Sequence, residues 1–300
     1  MMNSELRAPI VVFCFNRLDT LILLFDSLIN CSEAIDTEVF IYVDGPRNNL
    51  DKNIQSEIVN VLCKYEKYFL NFSLILREKN LGLRTSLIRG VSDILIKYEC
   101  VIVIEDDLIL SNNFIDYMNE SLSFYKNNTE ISGISAYSNF IEHKTTSTNY
   151  FHIRPCSWGW ATWRDRWVKI DWDYKPKSLF EYIKLWFLCK PVGDDIFRMF
   201  RYHLTHKINS WAISWTIHSI NNNLKTSYPF DTKVQNVGFG DEATHCKNDN
   251  PFVSKFIAIQ EKNYKLLNSV VLNRNIITKY NSYFSNFNKL YFKIKKFFSH

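Results

Sequence analysis

A chain of 300 residues with 46% apolar and 16% aromatic side chains can bury a sizeable core, which excludes an intrinsically disordered protein. Its net charge of +5 is mild and comes partly from the last thirty residues, where Lys279, Lys289, Lys293, Lys295 and Lys296 meet no Asp or Glu. The remainder is near neutral, which argues against a nucleic-acid binder driven by phosphate charge.

The first 136 residues alternate strand and helix. Residues 10–15 form a short β-rich run between Pro9 and Asn16, as a buried parallel strand should. Asp19 then opens a helix that keeps Leu21, Leu24, Phe25 and Leu28 at helical spacing. A second strand over 39–43 stops at Asp44-Gly45-Pro46, and the helix after it carries Ile54, Ile58, Val61, Leu62 and Tyr65 on one face. Residues 72–76 read as a third strand, followed by the turn Asn80-Leu81-Gly82-Leu83 and a helix to about Tyr98. Residues 101–104 are a fourth strand that ends in Glu105-Asp106-Asp107, and 131–136 a fifth. Beyond Tyr137 the pattern changes. Residues 138–150 read as a polar loop; the aromatic cluster Trp158-Gly159-Trp160-Ala161-Thr162-Trp163 with Trp167 comes next. Two or three helices then reach about Asn223, before an irregular segment from Pro229 to Asp249. With no internal repeat and no low-complexity linker, this half is expected to be a lobe folded onto the sheet.

Strand–helix alternation at this spacing implies an α/β fold with a mostly parallel central sheet flanked by helices. Ligands of such sheets gather at the carboxyl ends of the strands. The residues just past those ends are Asn16-Arg17, Asp44, Glu78 to Asn80 and Asp106-Asp107, all polar or charged. Two adjacent carboxylates after a buried strand need a cation or strong donors. Mg²⁺ or Mn²⁺ suits them, since such ions take one or two carboxylates and fill their remaining positions with phosphate oxygens and water. Asp44 could accept from a base or ribose, or merely belong to a plain turn. The turn at Asn80 could bring backbone N–H groups toward a phosphate or base. Arg17 and Arg84 are candidates for diphosphate contact. The Trp rings around Gly159 could stack on sugar faces or pack in the core.

The series Asn16-Arg17, Val43-Asp44-Gly45-Pro46, Asn80-Leu81-Gly82-Leu83, Val103-Ile104-Glu105-Asp106-Asp107-Leu108 and Ser157-Trp158-Gly159-Trp160-Ala161-Thr162-Trp163 continues in Ser210-Trp211-Ala212-Ile213 and Val237-Gly238-Phe239-Gly240 with Ala243-Thr244-His245. In this order the motifs resemble bacterial surface-polysaccharide glycosyltransferases of the GT-A fold, distantly similar to N-acetylglucosaminyltransferase I. The resemblance covers roughly residues 9–247. It implies one glycosyltransferase domain over 1–250, with a nucleotide-binding half (1–136) and an acceptor half (137–250), and a C-terminal helical tail over 251–300. It further implies that Asp107 is the direct ligand of Mn²⁺ or Mg²⁺, with Glu105 and Asp106 toward the ribose or sugar. Asn16, Arg17, Asp44, Asn80 and Arg84 would help hold a nucleotide-sugar donor, UDP-linked, and His245 would lie on a loop closing over it. Trp158, Trp160 and Trp211 would face the acceptor, a glycan or lipid-linked oligosaccharide for O-antigen or capsule. The implied mechanism is inverting, with a base that removes the acceptor hydroxyl proton.

The base is where the sequence departs from that pattern, because Asn209 and Ala212 stand where relatives carry an acid. Asp195 and Glu242 are the nearest remaining candidates, although Asp195 could simply begin a helix. Two rival readings are a sugar nucleotidyltransferase, disfavoured because residues 13–17 contain no Gly, and a non-catalytic sugar-binding protein. Seven Cys without a C-x-x-C pair suggest neither a zinc site nor a disulfide framework, and fit a reduced, cytoplasmic setting. The N-terminus lacks a basic start, and no stretch approaches the ~18 apolar residues of a bilayer span. Phe287, Leu290, Tyr291, Ile294, Phe297 and Phe298 recur at helical spacing with lysines opposite. Residues 287–298 are thus expected to form either a basic helix on the inner face of the membrane or a terminal helix docked on the core.

Overall fold

The computed structural model describes residues 7–139, 141, 145–238 and 255–282. Strand β1 (Ile10–Cys14) is buried along its whole length because it lies between two layers. Ile10, Val12 and Cys14 face one layer, and Val11 and Phe13 the other. Helix α1 (Leu18–Leu28) leads to β2 (Glu38–Val43), α2 (Asn49–Leu62), β3 (Asn71–Leu76), α3 (Leu83–Lys97) and β4 (Cys100–Glu105). β1 pairs in parallel with β2 on one side and β4 on the other, and β3 extends β2, also in parallel. The strand order β3-β2-β1-β4 therefore reverses at β1. A crevice opens at such a point, between the loops that leave β1 and β4.

Past the short β5 (Leu108–Leu110) and α4 (Phe114–Tyr125), β6 (Ile131–Ser135) is the fifth strand that the sequence predicts. The second half then differs from the expected lobe. β7 (Asn149–His152), β8 (Trp160–Trp163), the short α5 (Arg164–Trp167), α6 (Leu179–Cys189), α7 (Ile196–Leu204), α8 (Trp211–Asn221) and β9 (Lys225–Pro229) follow. β7, β8 and β9 join the same eight-stranded sheet, in the order β3-β2-β1-β4-β8-β6-β9-β7. β8 runs antiparallel between β4 and β6, and β9 runs parallel to β6. These strands are four or five residues long and buried along their whole length. They therefore show no alternation to read, and Lys-Thr-Ser-Tyr-Pro in β9 is not even apolar. β10 (Val234–Asn236) pairs with β5 in a separate two-stranded ribbon.

Helices α1, α2 and α4 cover one face of the sheet, through Leu24, Phe25, Ile58, Leu62, Ile115 and Met118. Leu87 and Val91 of α3, Trp167 of α5, and Trp211 and Trp215 of α8 cover the other. Residues 255–273 contain no helix, unlike the helical tail expected there, but they pack on the body: Tyr264, Leu266 and Leu267 lie against the first core, and the Tyr125 hydroxyl donates to the Leu267 carbonyl. Helix α9 (Arg274–Ser282) inserts Tyr280 beside β7 and β9, with its ring 4.2 Å from that of His152 and its hydroxyl 3.1 Å from that of Tyr228. Residues 287–298 lie outside the described residues.

Candidate functional site

The tips of β3, β2, β1 and β4 form a row. At its first end, the Asp44 carboxylate accepts from the backbone amides of Gly45, Leu81 and Gly82, each at 3.0 Å. The Asn80 side chain donates to the Gly45 carbonyl at 2.9 Å. A Cβ on Gly45 would stand 2.2 Å from the Lys79 carbonyl carbon, so the two turns meet backbone to backbone. Here the expectation for the Asn80 turn needs correction. The amides foreseen for a phosphate or base are turned onto Asp44, which ties two strand tips together.

The other end of the row holds the charge. Phe13 pairs with Glu105, which places Asn16-Arg17 and Asp106-Asp107 on either side of the crevice. Arg17 donates to Asp107 Oδ2 at 2.8 Å and lies 3.8 Å from Asp106 Oδ1. The Phe15 amide donates to Asp106 at 3.4 Å. Glu105 continues the face of Val101 and Val103, toward Trp160 and Trp211. Burial pushes its carboxyl well above the usual range, with Asp107 and Asp106 adding to the effect and Arg17 opposing it. Burial also raises Asp106 to about 7; Arg17 works against that rise and Asp107 for it. Arg17 itself stays firmly charged, because Asp106 and Asp107 more than offset the burial that opposes its charge. Three carboxylates against one guanidinium leave a surplus of negative charge that a divalent cation fits. Among the described residues no three ligating side chains form a ready-made cage. A site that takes one or two carboxylates and completes its shell from phosphate and water needs none.

A strap closes over Asp107. β5 follows the acidic tripeptide directly, and its partner β10 brings Asn236, Val237 and Gly238 across. The Val237 amide donates to the Asp107 carbonyl at 2.8 Å, and Asn236 Nδ2 to Asp107 Oδ1 at 3.4 Å. A Cβ at Gly238 would stand 2.1 Å from Asp107 Oδ2, so a glycine is needed for the chain to pass. Sequence reasoning missed Asn236 and Gly238 as site residues; the sole signal was the Gly in Val237-Gly238-Phe239-Gly240.

Several other expected site residues are engaged elsewhere. Asn16 donates to Asp51 of α2 at 3.0 Å. Arg84 is anchored on the Trp172 carbonyl at 2.7 Å and on Asp173 at 3.0 Å, which removes it from the diphosphate role. Trp160 and Trp211 are 1% and 3% exposed. Trp160 lies 5.6 Å from Trp167, 5.2 Å from Trp211 and 4.7 Å from Trp215 by ring centroid, so this packing leaves neither ring a face for a sugar. Trp158 is half-buried, its ring 4.5 Å from that of Tyr137. Since Trp160 pairs with Val103, residues 157–159 stand level with the acidic tip. Asp195 is buried at the start of α7, and both its oxygens are held by Arg154, at 3.0 and 3.1 Å. A carboxylate gripped by a guanidinium on both oxygens is a poor base, and Asp195 serves as the counterion of Arg154. Glu242 and His245 lie outside the described residues.

The sequence profile of Glycosyl transferase family 2 matches residues 10–197, from β1 to the start of α7. The chain belongs to this family. Its sheet and flanking helices are those of the GT-A fold. No curated protein matches it. Among solved structures, Staphylococcus aureus TarS 1-349 in complex with UDP is 12% identical, with a TM-score of 0.46, over 76% of this chain and 59% of that one. A mannosyltransferase from Pyrobaculum calidifontis, PcManGT, in complex with GDP-Man and Mn²⁺ is 11% identical, with a TM-score of 0.35, over 54% and 46%. The chain spans about half the length of the solved structures it matches first.

Two outcomes follow from the charge and the strap. A carboxyl with a raised pKa binds its proton more tightly folded than unfolded, so its contribution to stability falls as pH rises from the ordinary Asp range toward about 7. Asp106→Asn should therefore raise the Tm of the metal-free protein by about 5 °C at pH 8 and change it little at pH 4, measured by thermal denaturation. Gly238→Ala should displace Asp107 or the strap and lower the Tm of the metal-free protein by about 3 °C or more, read by thermal denaturation.

Proposed function

We propose that the enzyme transfers a sugar from a nucleoside diphosphate donor, UDP-linked, to a hydroxyl of a growing surface glycan or lipid-linked oligosaccharide, with inversion at the transferred carbon. The observation that carries this reading is the surplus of carboxylate at the tip of β4, facing Arg17 across the crevice where the strand order reverses. Asp107, with Asp106 beside it, would hold a divalent cation, Mn²⁺ or Mg²⁺. When bound, that ion supplies positive charge for the departing diphosphate. Arg17 reaches the same carboxylates and is long enough to turn to a diphosphate oxygen. The fixed turns at Asp44 and Asn80 form the wall on which the nucleoside rests. Trp158, level with the acidic tip and half-buried, would contact the acceptor. The base falls to Glu242, since Asp195 is bound to Arg154 and neither Asn209 nor Ala212 can accept the hydroxyl proton.

Asp107→Asn should abolish Mn²⁺-dependent UDP binding in calorimetry while leaving the Tm of the metal-free protein within a few degrees of the parent; full donor affinity in this variant would remove the metal assignment. Glu242→Gln should bind donor with unchanged affinity and lose at least about a hundredfold in the rate of UDP release with acceptor present. An undiminished rate would exclude Glu242 as the base.

A further inference from the structure

Helix α6 turns an apolar face to solvent. Ser178 caps it by accepting from the Glu181 amide. Leu185 and Cys189 are buried with Val192, Ile196, Phe200 and Ile213, so the helix is fixed to the body along one narrow edge. On the far side Leu179 and Phe180 are 74% and 76% exposed, Phe187 57%, Ile183 44% and Trp186 40%. At about 100° per residue these five positions fall within roughly a third of the helix circumference, opposite the buried pair. Monomeric soluble proteins rarely leave so continuous an apolar stripe in water, and a stripe of this kind marks a docking surface.

The cations around the stripe decide what docks there. Lys190 falls within the apolar arc at the end of the helix, its Nζ 3.7 Å from the Trp186 ring centroid and 5.1 Å from that of Phe187. Lys184 borders the arc, and Lys175 and Lys177 precede the helix. The single acid of the helix, Glu181, points elsewhere and accepts from the Lys177 amide. Aromatic rings with lysines at their margin match the boundary between lipid headgroups and acyl chains, where the ring is buried and the ammonium meets phosphate. A second copy of the chain would cover the same stripe but would bring like charges together across a two-fold contact.

We propose that α6 is the surface on which this enzyme rests against an anionic lipid bilayer. Leu179, Phe180, Ile183, Trp186 and Phe187 enter the headgroup–acyl boundary, and Lys184 and Lys190 meet lipid phosphate. The surface shares no residue with the nucleotide site, so its success or failure is separate from that of the donor reading. It also differs from residues 287–298, for which the sequence leaves open membrane contact or docking on the core.

The test uses the full chain and sedimentation with vesicles of phosphatidylcholine alone or mixed with phosphatidylglycerol. The parent protein is expected to bind the mixed vesicles about tenfold or more tightly than the neutral ones. A Phe180→Ser, Phe187→Ser double variant should lose about tenfold or more in affinity for the mixed vesicles. A Lys184→Gln, Lys190→Gln variant should lose most of the preference for the anionic lipid. Both should keep the parent's Tm and UDP affinity, which separates loss of the surface from loss of the fold. Undiminished vesicle binding by the Phe variant overturns the proposal. So does a parent that ignores vesicles but shows, by light scattering, a doubled mass that the Phe variant abolishes, since the occupant is then a second copy.

Discussion

Negative charge gathered at the end of one buried strand, with a single guanidinium to meet it, constrains everything around the crevice. Burial raises the proton affinity of Glu105 and Asp106, so their ionised forms are disfavoured in the metal-free protein. Arg17 offsets part of that effect, and it can do so because α1 starts directly after it, which sets its side chain over Asp107. The strap from β10 adds an amide to the Asp107 carbonyl and an Asn236 donor to its carboxylate. Function and instability here have one source, because the charge that would attract a cation is the charge the fold tolerates least.

The neighbouring polar residues solve a different problem. Asp44 looks like a ligand-binding acid, yet three backbone amides already donate to its carboxylate. Asp195 looks like a base, yet both its oxygens are taken up by the buried Arg154 guanidinium. Such groups are held where they are by the cost of leaving buried donors and charges unmatched. They shape the walls of the crevice.

Much of this was legible in the sequence where the chain's own pattern decides the structure. Continuous apolar runs marked β1 to β4, and the polar residue after each run marked the crest of the sheet. The acidic tripeptide stood out because three carboxylates after a buried strand have few structural uses. Legibility failed where a partner far along the chain decides. Nothing near Asp44 announces that the amides of Leu81 and Gly82 will turn to it, and nothing near Asp195 announces Arg154. Trp160 and Trp211 read as ligand-stacking rings because a glycine sits beside the first and a motif surrounds the second. Their burial is set by the meeting of β8, α5 and α8, which no local pattern encodes. Residues 225–229 hid β9 for the same reason: Lys, Thr and Ser sit in a buried strand that is paired along both edges, by β6 and β7.

The backbone contact between Gly45 and Lys79 has a mechanical consequence. Two turns that touch without a side chain between them, and that share the Asp44 carboxylate, cannot slide past each other without breaking several bonds at once. They behave as the fixed jaw of a vice. Adjustment to an incoming molecule is then left to the opposite jaw, where a long, part-exposed arginine is held by side-chain charge and not by backbone. A vice with one immobile side loses little freedom on closing, because half of its alignment was completed when the chain folded.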